Sequence, residues 1–236
     1  IKKEIGGKNS YWKRAVIGLS GGLDSVTSAL LCRKALGKDK LLAVIVDLGE
    51  IHTEQTALSI QIAKDFDINY RVVDGSKILN NHCQLIENDG PFTEINTITY
   101  VIQNLIFQVA SEEDYSAVIY CGDKSEFLTG RHAEYFYGHI ALLRQFYKSE
   151  IWDIAKVIGV SNQVFSHKPG CKDAWFDEDI FGASWETLDK LLYLMNHRNL
   201  SSKEIASKYN IDEKWLNKIE KRLMHKDTRL KTKIFE

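Results

Sequence analysis

Short apolar runs alternate with helix-like stretches along the first half of the chain. The apolar runs cover residues 15–19, 41–46, 70–73 and 117–121, and the helix-like stretches cover residues 24–35, 53–66 and 96–110. Continuous apolar strands that alternate with helices are typical of a parallel sheet with helices on both faces and right-handed crossovers. We therefore predict an α/β fold built on a doubly wound, mainly parallel sheet.

Beyond Lys148 the hydrophobic pattern predicts helices only. Helical stretches cover residues 149–159, 185–195, 201–209 and 212–224. The polar stretch of residues 166–181 shows no periodicity, so we predict a mobile loop there. Because no repeat and no linker rich in Pro, Gly or Ser divides the chain, we expect one domain over residues 1–236 with a helical tail from about residue 183.

The composition excludes several classes of protein. With 236 residues, 44% hydrophobic and 27% charged, the chain resembles ordinary globular proteins rather than disordered or fibrous ones. It contains no apolar run long enough for a membrane span and no apolar leader, so we expect a cytoplasmic protein. A net charge of -1 means that nucleic acid could bind only at a local basic patch. The cysteines, Cys32, Cys83, Cys121 and Cys171, form no C-x-x-C pair, which argues against a disulfide framework and a structural zinc site.

The candidate chemistry lies in a glycine turn, Ser20-Gly21-Gly22-Leu23-Asp24-Ser25, between the first strand and the first helix. Open parallel sheets bind ligands at this position. Glycines let the backbone approach a ligand closely, and N–H groups of the loop and helix terminus bind phosphate oxygens. The turn lacks the lysine of the G-x-x-x-x-G-K-[ST] loop, which disfavours transfer of a terminal phosphoryl group. Its aspartate is best explained by Mg²⁺ bridging it to phosphates, although a plain capped turn is the alternative.

This turn resembles the pyrophosphate-binding loop of the PP-loop ATP pyrophosphatases, which cleave ATP between the α and β phosphates. Further segments are similar to those of the ammonia-dependent NAD synthetases. These segments are residues 122–126 for their N-K-S-E motif, Lys148 for their ATP-contacting lysine, residues 167–169 and 177–182 for the two ends of their active-site loop, and His225-Lys226 for their H-K pair. The similarity extends from about residue 15 to residue 226.

The resemblance implies a Rossmann-like fold of the adenine nucleotide alpha hydrolase type, with ATP as co-substrate, Mg²⁺, and a homodimer that uses helix 96–110. It implies that ATP is bound by Gly18, Leu19, Ser20, Gly21, Gly22, Leu23, Asp24, Ser25, Cys121, Lys148 and Cys171. The implied metal ligands are Asp24 and Glu126. The implied acid-substrate residues are His225 and Lys226, and Lys168 and Asp173 belong to the implied active-site loop.

Most of these residues also have an ordinary structural explanation. Asp123 and Glu126 are spaced as a helix capping box. A lysine such as Lys148 usually lies on a solvated helix face, and His225-Lys226 could balance the end of a helix that stops at residue 224. Cys121 is explained equally well as a small buried hydrophobic residue.

The departures from the family concentrate in the acid-substrate half. The chain has no arginine between Arg71 and Arg131, where the family has one for deamido-NAD, and Glu134 stands near the family's substrate lysine. Such an inversion of charge would repel an anionic dinucleotide. We therefore predict a ligase that adenylates a carboxylic acid other than deamido-NAD, releases pyrophosphate, and lets ammonia displace AMP. No attached amidase domain fits in this length, so free ammonia or a separate donor protein is expected to supply the nitrogen.

Alternative functions remain open at this point. The first is an authentic NAD synthetase, and the second is a sulfur-transferring or tRNA-modifying PP-loop enzyme that uses Cys171, whose lysine neighbours favour a thiolate. The third is a non-catalytic nucleotide-binding or DNA-binding module. Residues 201–222 resemble a helix-turn-helix, and residues 196–236 contain eleven Lys or Arg against six Asp or Glu.

Overall fold

A parallel sheet with the strand order β3-β2-β1-β4-β5 forms the centre of the described chain. The structure, a computed structural model, describes residues 1–86, 93–113, 116–130, 137–166, 170–171 and 175–230. Its strands are β1 (Arg14–Gly18), β2 (Leu41–Asp47), β3 (Asn69–Asp74), β4 (Ser116–Tyr120) and β5 (Ile140–Ala141). Since the order runs outward from β1 in both directions and neighbouring strands are parallel, the predicted doubly wound sheet is confirmed.

Helices cover both faces of this sheet, as the alternation of side chains along each strand requires. They are α1 (Leu23–Leu36), α2 (Thr53–Asp65), α3 (Ser76–Gln84), α4 (Thr93–Glu112), α5 (Lys124–Thr129) and α6 (Lys148–Ile158). Ala15 and Ile17 of β1 pack in one apolar cluster with residues of α1, α2 and α6. Val16, which lies between them, packs on the opposite face with residues of α4. The carboxyl ends of the strands are thus left at one edge of the sheet.

The tail is helical and has its own apolar cluster. It contains α8 (Asp177–Phe181), α9 (Trp185–His197), α10 (Ser202–Tyr209) and α11 (Glu213–Leu230). The preceding helix α7 (Asn162–Phe165) packs through Val164 in the apolar cluster of the sheet instead. Leu188, Leu192, Ile205 and Leu216 of this cluster pack together with Leu128 of α5, so the tail is seated against the end of the sheet that carries α5. In the part of the chain that the structure describes, no helix is both long and apolar enough to span a membrane.

Several short elements were not predicted. The strand β5 and the helix α3 are absent from the sequence prediction, and residues 166–181 contain α8 and an antiparallel pair, β6 (Gly170–Cys171) with β7 (Trp175–Phe176). The expectation that strands stop at Lys148 is therefore wrong, because strands of two residues are too short to show periodicity. The predicted end of the last helix at residue 224 is also wrong, since α11 continues to Leu230 through residues with no glycine or proline.

Candidate active site

The glycine turn joins β1 to α1 at the carboxyl edge of the sheet. Gly21 has φ +76°, a backbone conformation that side chains with a Cβ rarely adopt. A Cβ atom at Gly21 would lie 3.3 Å from both Leu58 Cδ2 and Ser59 Oγ of α2. The hydroxyl of Ser25 closes the turn, since it accepts from Ser20 N at 3.2 Å and donates to Gly22 O at 3.0 Å.

The amino end of α1 is available to a ligand. Gly22 is the N-cap residue, and among the described residues no side chain caps the helix there. The first N–H groups of a helix carry a partial positive charge and bind anions when no side chain satisfies them. The geometry thus fits the predicted role of residues 18–25 in binding phosphate.

Three carboxylates from two helices meet beside this turn. Asp24 of α1, Asp123 at the N-cap of α5 and Glu126 of α5 each offer an oxygen, and these oxygens lie within 4.8 Å of one another. We call these three residues the carboxylate cage. The ammonium of Lys148, the first residue of α6, lies among them, and its side chain is only 1% exposed. Its Nζ lies 2.5 Å from Asp24 Oδ2, 2.7 Å from Asp123 Oδ2 and 2.9 Å from Glu126 Oε1.

A capping box fixes two members of the cage. Asp123 Oδ1 accepts a hydrogen bond from Glu126 N at 2.7 Å, and Glu126 Oε2 accepts one from Asp123 N at 3.3 Å. The other oxygen of each carboxylate faces Lys148. Capping therefore does not prevent these acids from facing the cage, as the sequence allowed, because each carboxylate uses one oxygen for the capping box and the other for Lys148.

The charges in the cage are strongly coupled. Burial raises the pKa of Asp123 well above its usual value, and the nearby Glu126 raises it further, while Lys148 opposes the change. Burial alone would lower the pKa of Lys148, but the carboxylates of the cage together raise it well above the usual value for lysine. Lys148 is therefore a buried cation and not the solvated lysine that is common at such positions.

A further buried acid, Asp189 of α9, accepts hydrogen bonds from residues adjacent to the carboxylate cage and Lys148. Its carboxylate accepts from Ser125 Oγ at 2.5 Å and from Ser149 N at 2.8 Å, and Ser125 Oγ accepts from Lys148 N at 2.9 Å. Burial raises the pKa of Asp189. Asp189 thus ties α9 to the first turns of α5 and α6. The sequence prediction missed it, although an acid between Leu188 and Leu192 on a helix face was a usable signal.

A cavity of about 310 Å³ adjoins the glycine turn. Gly18, Leu19, Ser20, Ser25 and Cys121, all predicted to bind ATP, line its wall. Apolar side chains of β2, β4 and α4 form most of the remaining wall, and polar side chains of α2 reach it on one side. Burial raises the pKa of the Cys121 thiol, so this cysteine is a neutral part of the wall. The mainly apolar lining suits a nucleoside base.

Arg144 was missed by the sequence prediction and lies near this cavity. Its guanidinium is placed over the ring of Phe127, with 2.9 Å between Cζ and the ring centroid. Burial lowers the pKa of Arg144, while Tyr120, Asp123 and Tyr137 act in the opposite direction. Tyr120 and Tyr137 line the cavity, so Arg144 is a partly buried cation that is coupled electrostatically to its wall.

The side chains of the predicted acid-substrate and active-site-loop residues lie outside the described part of the chain. Lys168, Asp173 and Glu134 lie outside the described residues. The backbone of Cys171 lies in β6, but its side chain is outside them. His225 and Lys226 lie within α11, also without described side chains, so the prediction that they follow the end of a helix is wrong.

Comparison with known proteins identifies the family. The sequence profile of the NAD synthase family matches residues 1–233. The chain belongs to the NAD synthase family. The NH(3)-dependent NAD(+) synthetase of Pyrococcus furiosus is 30% identical over 218 residues, which cover 91% of this chain and 84% of that relative.

Solved structures of similar fold include an NH3-dependent NAD synthetase from Campylobacter jejuni, with a TM-score of 0.79, 21% identity and coverage of 97% of this chain and 92% of the other. An NMN synthetase from Francisella tularensis has a TM-score of 0.75 and 18% identity, and the match covers 95% of this chain and 90% of the chain of that synthetase.

Membership of the NAD synthase family confirms the resemblance seen in the sequence and the Rossmann-like fold. The protein is an enzyme, a ligase that forms a carbon–nitrogen bond with ATP as co-substrate. The roles predicted for individual residues are not tested by these comparisons and stay predictions.

Proposed function

We propose that this protein is an ammonia-dependent NAD synthetase, which converts the carboxylate of deamido-NAD into an amide. The observation that carries the proposal is the meeting of the glycine turn, the carboxylate cage and Lys148 at one edge of the sheet, in a chain of the NAD synthase family. The named relatives support deamido-NAD. We therefore favour it over the altered acid that we predicted from Glu134.

The glycine turn provides a site for the phosphates of ATP. The uncapped N–H groups of α1 and the hydroxyls of Ser20 and Ser25 are hydrogen-bond donors for phosphate oxygens. The adjoining cavity of about 310 Å³ has room for the adenosine. In this arrangement the α phosphorus faces the carboxyl ends of β1 and β4, close to the cage.

The donor set of the cage fits Mg²⁺, which prefers carboxylate oxygens together with phosphate oxygens. Asp24 and Glu126 would hold the ion, which when bound stabilises the charge that develops on pyrophosphate. Lys148 adds a second positive charge within reach of the same phosphates. Fixed cations and N–H groups around a leaving group lower the barrier because they need little reorganisation.

The acid reacts in two steps. Its carboxylate oxygen attacks the α phosphorus, so that the bond to pyrophosphate breaks and an acyl adenylate forms. Ammonia then attacks the acyl carbon, AMP leaves, and the excess proton passes to solvent. We place the anionic acid near Arg144, because this partly buried cation is coupled electrostatically to Tyr120 and Tyr137 of the cavity wall.

The test is a product assay with ATP, Mg²⁺, ammonia and deamido-NAD. We expect NAD, AMP and pyrophosphate in equal amounts. Pyrophosphate release with another carboxylic acid, such as nicotinic acid mononucleotide, but none with deamido-NAD would support the altered-acid hypothesis instead. Absence of pyrophosphate with every acid would favour a non-catalytic nucleotide-binding module.

The sulfur-transfer alternative depends on one side chain. A sulfur-transferring enzyme would lose all activity in the Cys171→Ser variant, whereas an amide-forming ligase should keep most of its turnover. Retained NAD formation in this variant would reject the alternative.

The other predictions about the whole protein are kept as proposals. The packing of α9 and α11 against α5 supports a single domain. The homodimer, the separate ammonia donor and the cytoplasmic location have no further support. Ile205 of α10 and Leu216 of α11 are buried in the apolar cluster of the tail.

A further inference from the structure

The ammonium of Lys148 lies where the carboxylate cage would hold a divalent cation. Asp24 Oδ2, Asp123 Oδ2 and Glu126 Oε1 are all within 2.9 Å of Nζ, so this one amine is close to every member of the cage. On a further side, the ring of Trp185 has its centroid 5.6 Å from Nζ. The lysine therefore fills the space between the acids and does not merely border it.

The same carboxylate oxygens cannot bind Mg²⁺ and the ammonium of Lys148 at the same time. Mg²⁺ binds oxygens at about 2.0–2.1 Å, so an ion held by Asp24 and Glu126 would lie against the present position of Nζ. Two cations at such a separation repel strongly in a poorly solvated site. One of them must leave when the other enters.

Lys148 is attached so that its side chain can move while its backbone stays in place. Its N–H donates to Ser125 Oγ at 2.9 Å, and Asp189 accepts from both Ser125 and Ser149, which fixes the first turn of α6. The aliphatic stem has four carbons and rotates about single bonds. A short rotation can carry the ammonium from the cage towards the amino end of α1, where the phosphates are proposed to bind.

We propose that Lys148 and the divalent cation are alternative occupants of the carboxylate cage. This inference rests on the proposed function for the identity of the nucleotide. The cation enters together with ATP, because the phosphates then offer the displaced ammonium a new negative partner. In the absence of nucleotide the lysine compensates the charge of the acids and keeps the cation out.

Asp123 is the member of the cage that makes this exchange necessary. It is fully buried, and the capping box holds its second oxygen in α5. A buried carboxylate without a counter-charge is costly, so the cage keeps its full negative charge only while the ammonium or the metal ion occupies it. The exchange supplies one cation as the other leaves.

The test measures binding of Mn²⁺ alone, by electron paramagnetic resonance, without nucleotide or turnover. We expect the Lys148→Met variant to bind Mn²⁺ at least tenfold more tightly than the wild type. Lys190→Met is the matched control, because Lys190 pairs with Glu186 at 2.7 Å on the exposed face of α9. The Mn²⁺ affinity of this control variant should equal that of the wild type. Lys148→Gln, which keeps a polar stem, replaces the Met variant if that protein does not fold.

Two further results decide where Mn²⁺ binds and whether its binding is coupled to that of the nucleotide. Adding Asp24→Ala to Lys148→Met should remove the gained Mn²⁺ affinity, whereas a gain that persists would place the ion outside the cage and overturn the proposal. A non-hydrolysable ATP analogue should tighten Mn²⁺ binding of the wild type and reduce its difference from the variant.

Equal Mn²⁺ affinity of the wild type and both Lys148 variants without nucleotide would also overturn the proposal. None of these measurements requires NAD formation, so failure of the exchange and failure of the proposed activity are distinguishable.

Discussion

Two neighbouring glycines in the turn offer a matched pair of substitutions, Gly21→Ala and Gly22→Ala. Gly21 has φ +76°, whereas Gly22 has φ -73° and ψ 157°, which any residue can adopt. An added Cβ would lie 3.3 Å from Leu58 and Ser59 at the first position, but at the second its nearest neighbour is Ser20 Oγ at 3.5 Å. The same substitution is therefore made at two neighbouring positions that differ in backbone conformation.

The expected difference in stability follows from these conformations. A residue with a Cβ in the left-handed region costs about 1–2 kcal/mol. Replacing glycine by alanine also restricts the unfolded chain, which stabilises the native state by about 0.4–1 kcal/mol. At Gly22 this gain is offset by the loss of a glycine N-cap, about 0.5 kcal/mol. We expect Gly21→Ala to be less stable than Gly22→Ala by about 0.5–1.5 kcal/mol.

Thermal unfolding without nucleotide measures this difference. For a chain of this size, 1 kcal/mol corresponds to about 2–4 °C, so Gly21→Ala should melt about 3 °C below Gly22→Ala. Circular dichroism of both variants and the wild type under identical conditions is sufficient. A melting temperature of Gly21→Ala equal to or above that of Gly22→Ala would refute the positive-φ requirement at Gly21.

Further predictions concern the acids and the arginine of the site. Asp189→Ala should cost about 3 kcal/mol, because two donors to a buried carboxylate lose their acceptor. Urea unfolding measures this loss, and Glu186→Ala on the exposed face of the same helix should change little. Asp24→Ala should reduce Mg²⁺-dependent NAD formation by about 10²-fold with an unchanged circular dichroism spectrum, and unchanged turnover would contradict its role. Arg144→Gln should raise KM for the acid about tenfold but leave KM for ATP unchanged. The control Arg33→Gln removes only contacts with Asp67 at the surface, and an equal rise there would reject a role for Arg144.

The sheet was predictable because its strands are defined by their own residues. Strands β1 and β2 are continuous apolar runs, and side chains on both faces are buried by helices, as for Val16 and Ile17. In contrast, β5 is defined by its pairing with β4, since Ile140 and Ala141 extend the sheet beside Ile119 and Tyr120. Two residues carry no periodicity, so such a strand cannot be found from the sequence of its own segment.

The candidate site was predictable where its residues are neighbours in the sequence. The glycine turn contains its own signal, because Gly21, Asp24 and Ser25 are neighbours in sequence and are proposed to act on one ligand. Lys148 was assigned through the resemblance alone. Asp189 and Arg144 were missed, because their contacts join segments that are far apart in the chain.

The burial of Lys148 shows why contacts between distant segments decide this site. An ammonium that is 1% exposed is stable only beside acids, and Asp24 is 124 positions away in the sequence while Glu126 is 22 away. The cation between the acids in turn offsets their mutual repulsion, and without it Asp123 would take up a proton more readily. Lysine and acids therefore stabilise each other's charge, so removal of either should disturb the other before it affects the sheet. The Mn²⁺ experiment examines this dependence directly, because it replaces the lysine by another cation and leaves the acids in place.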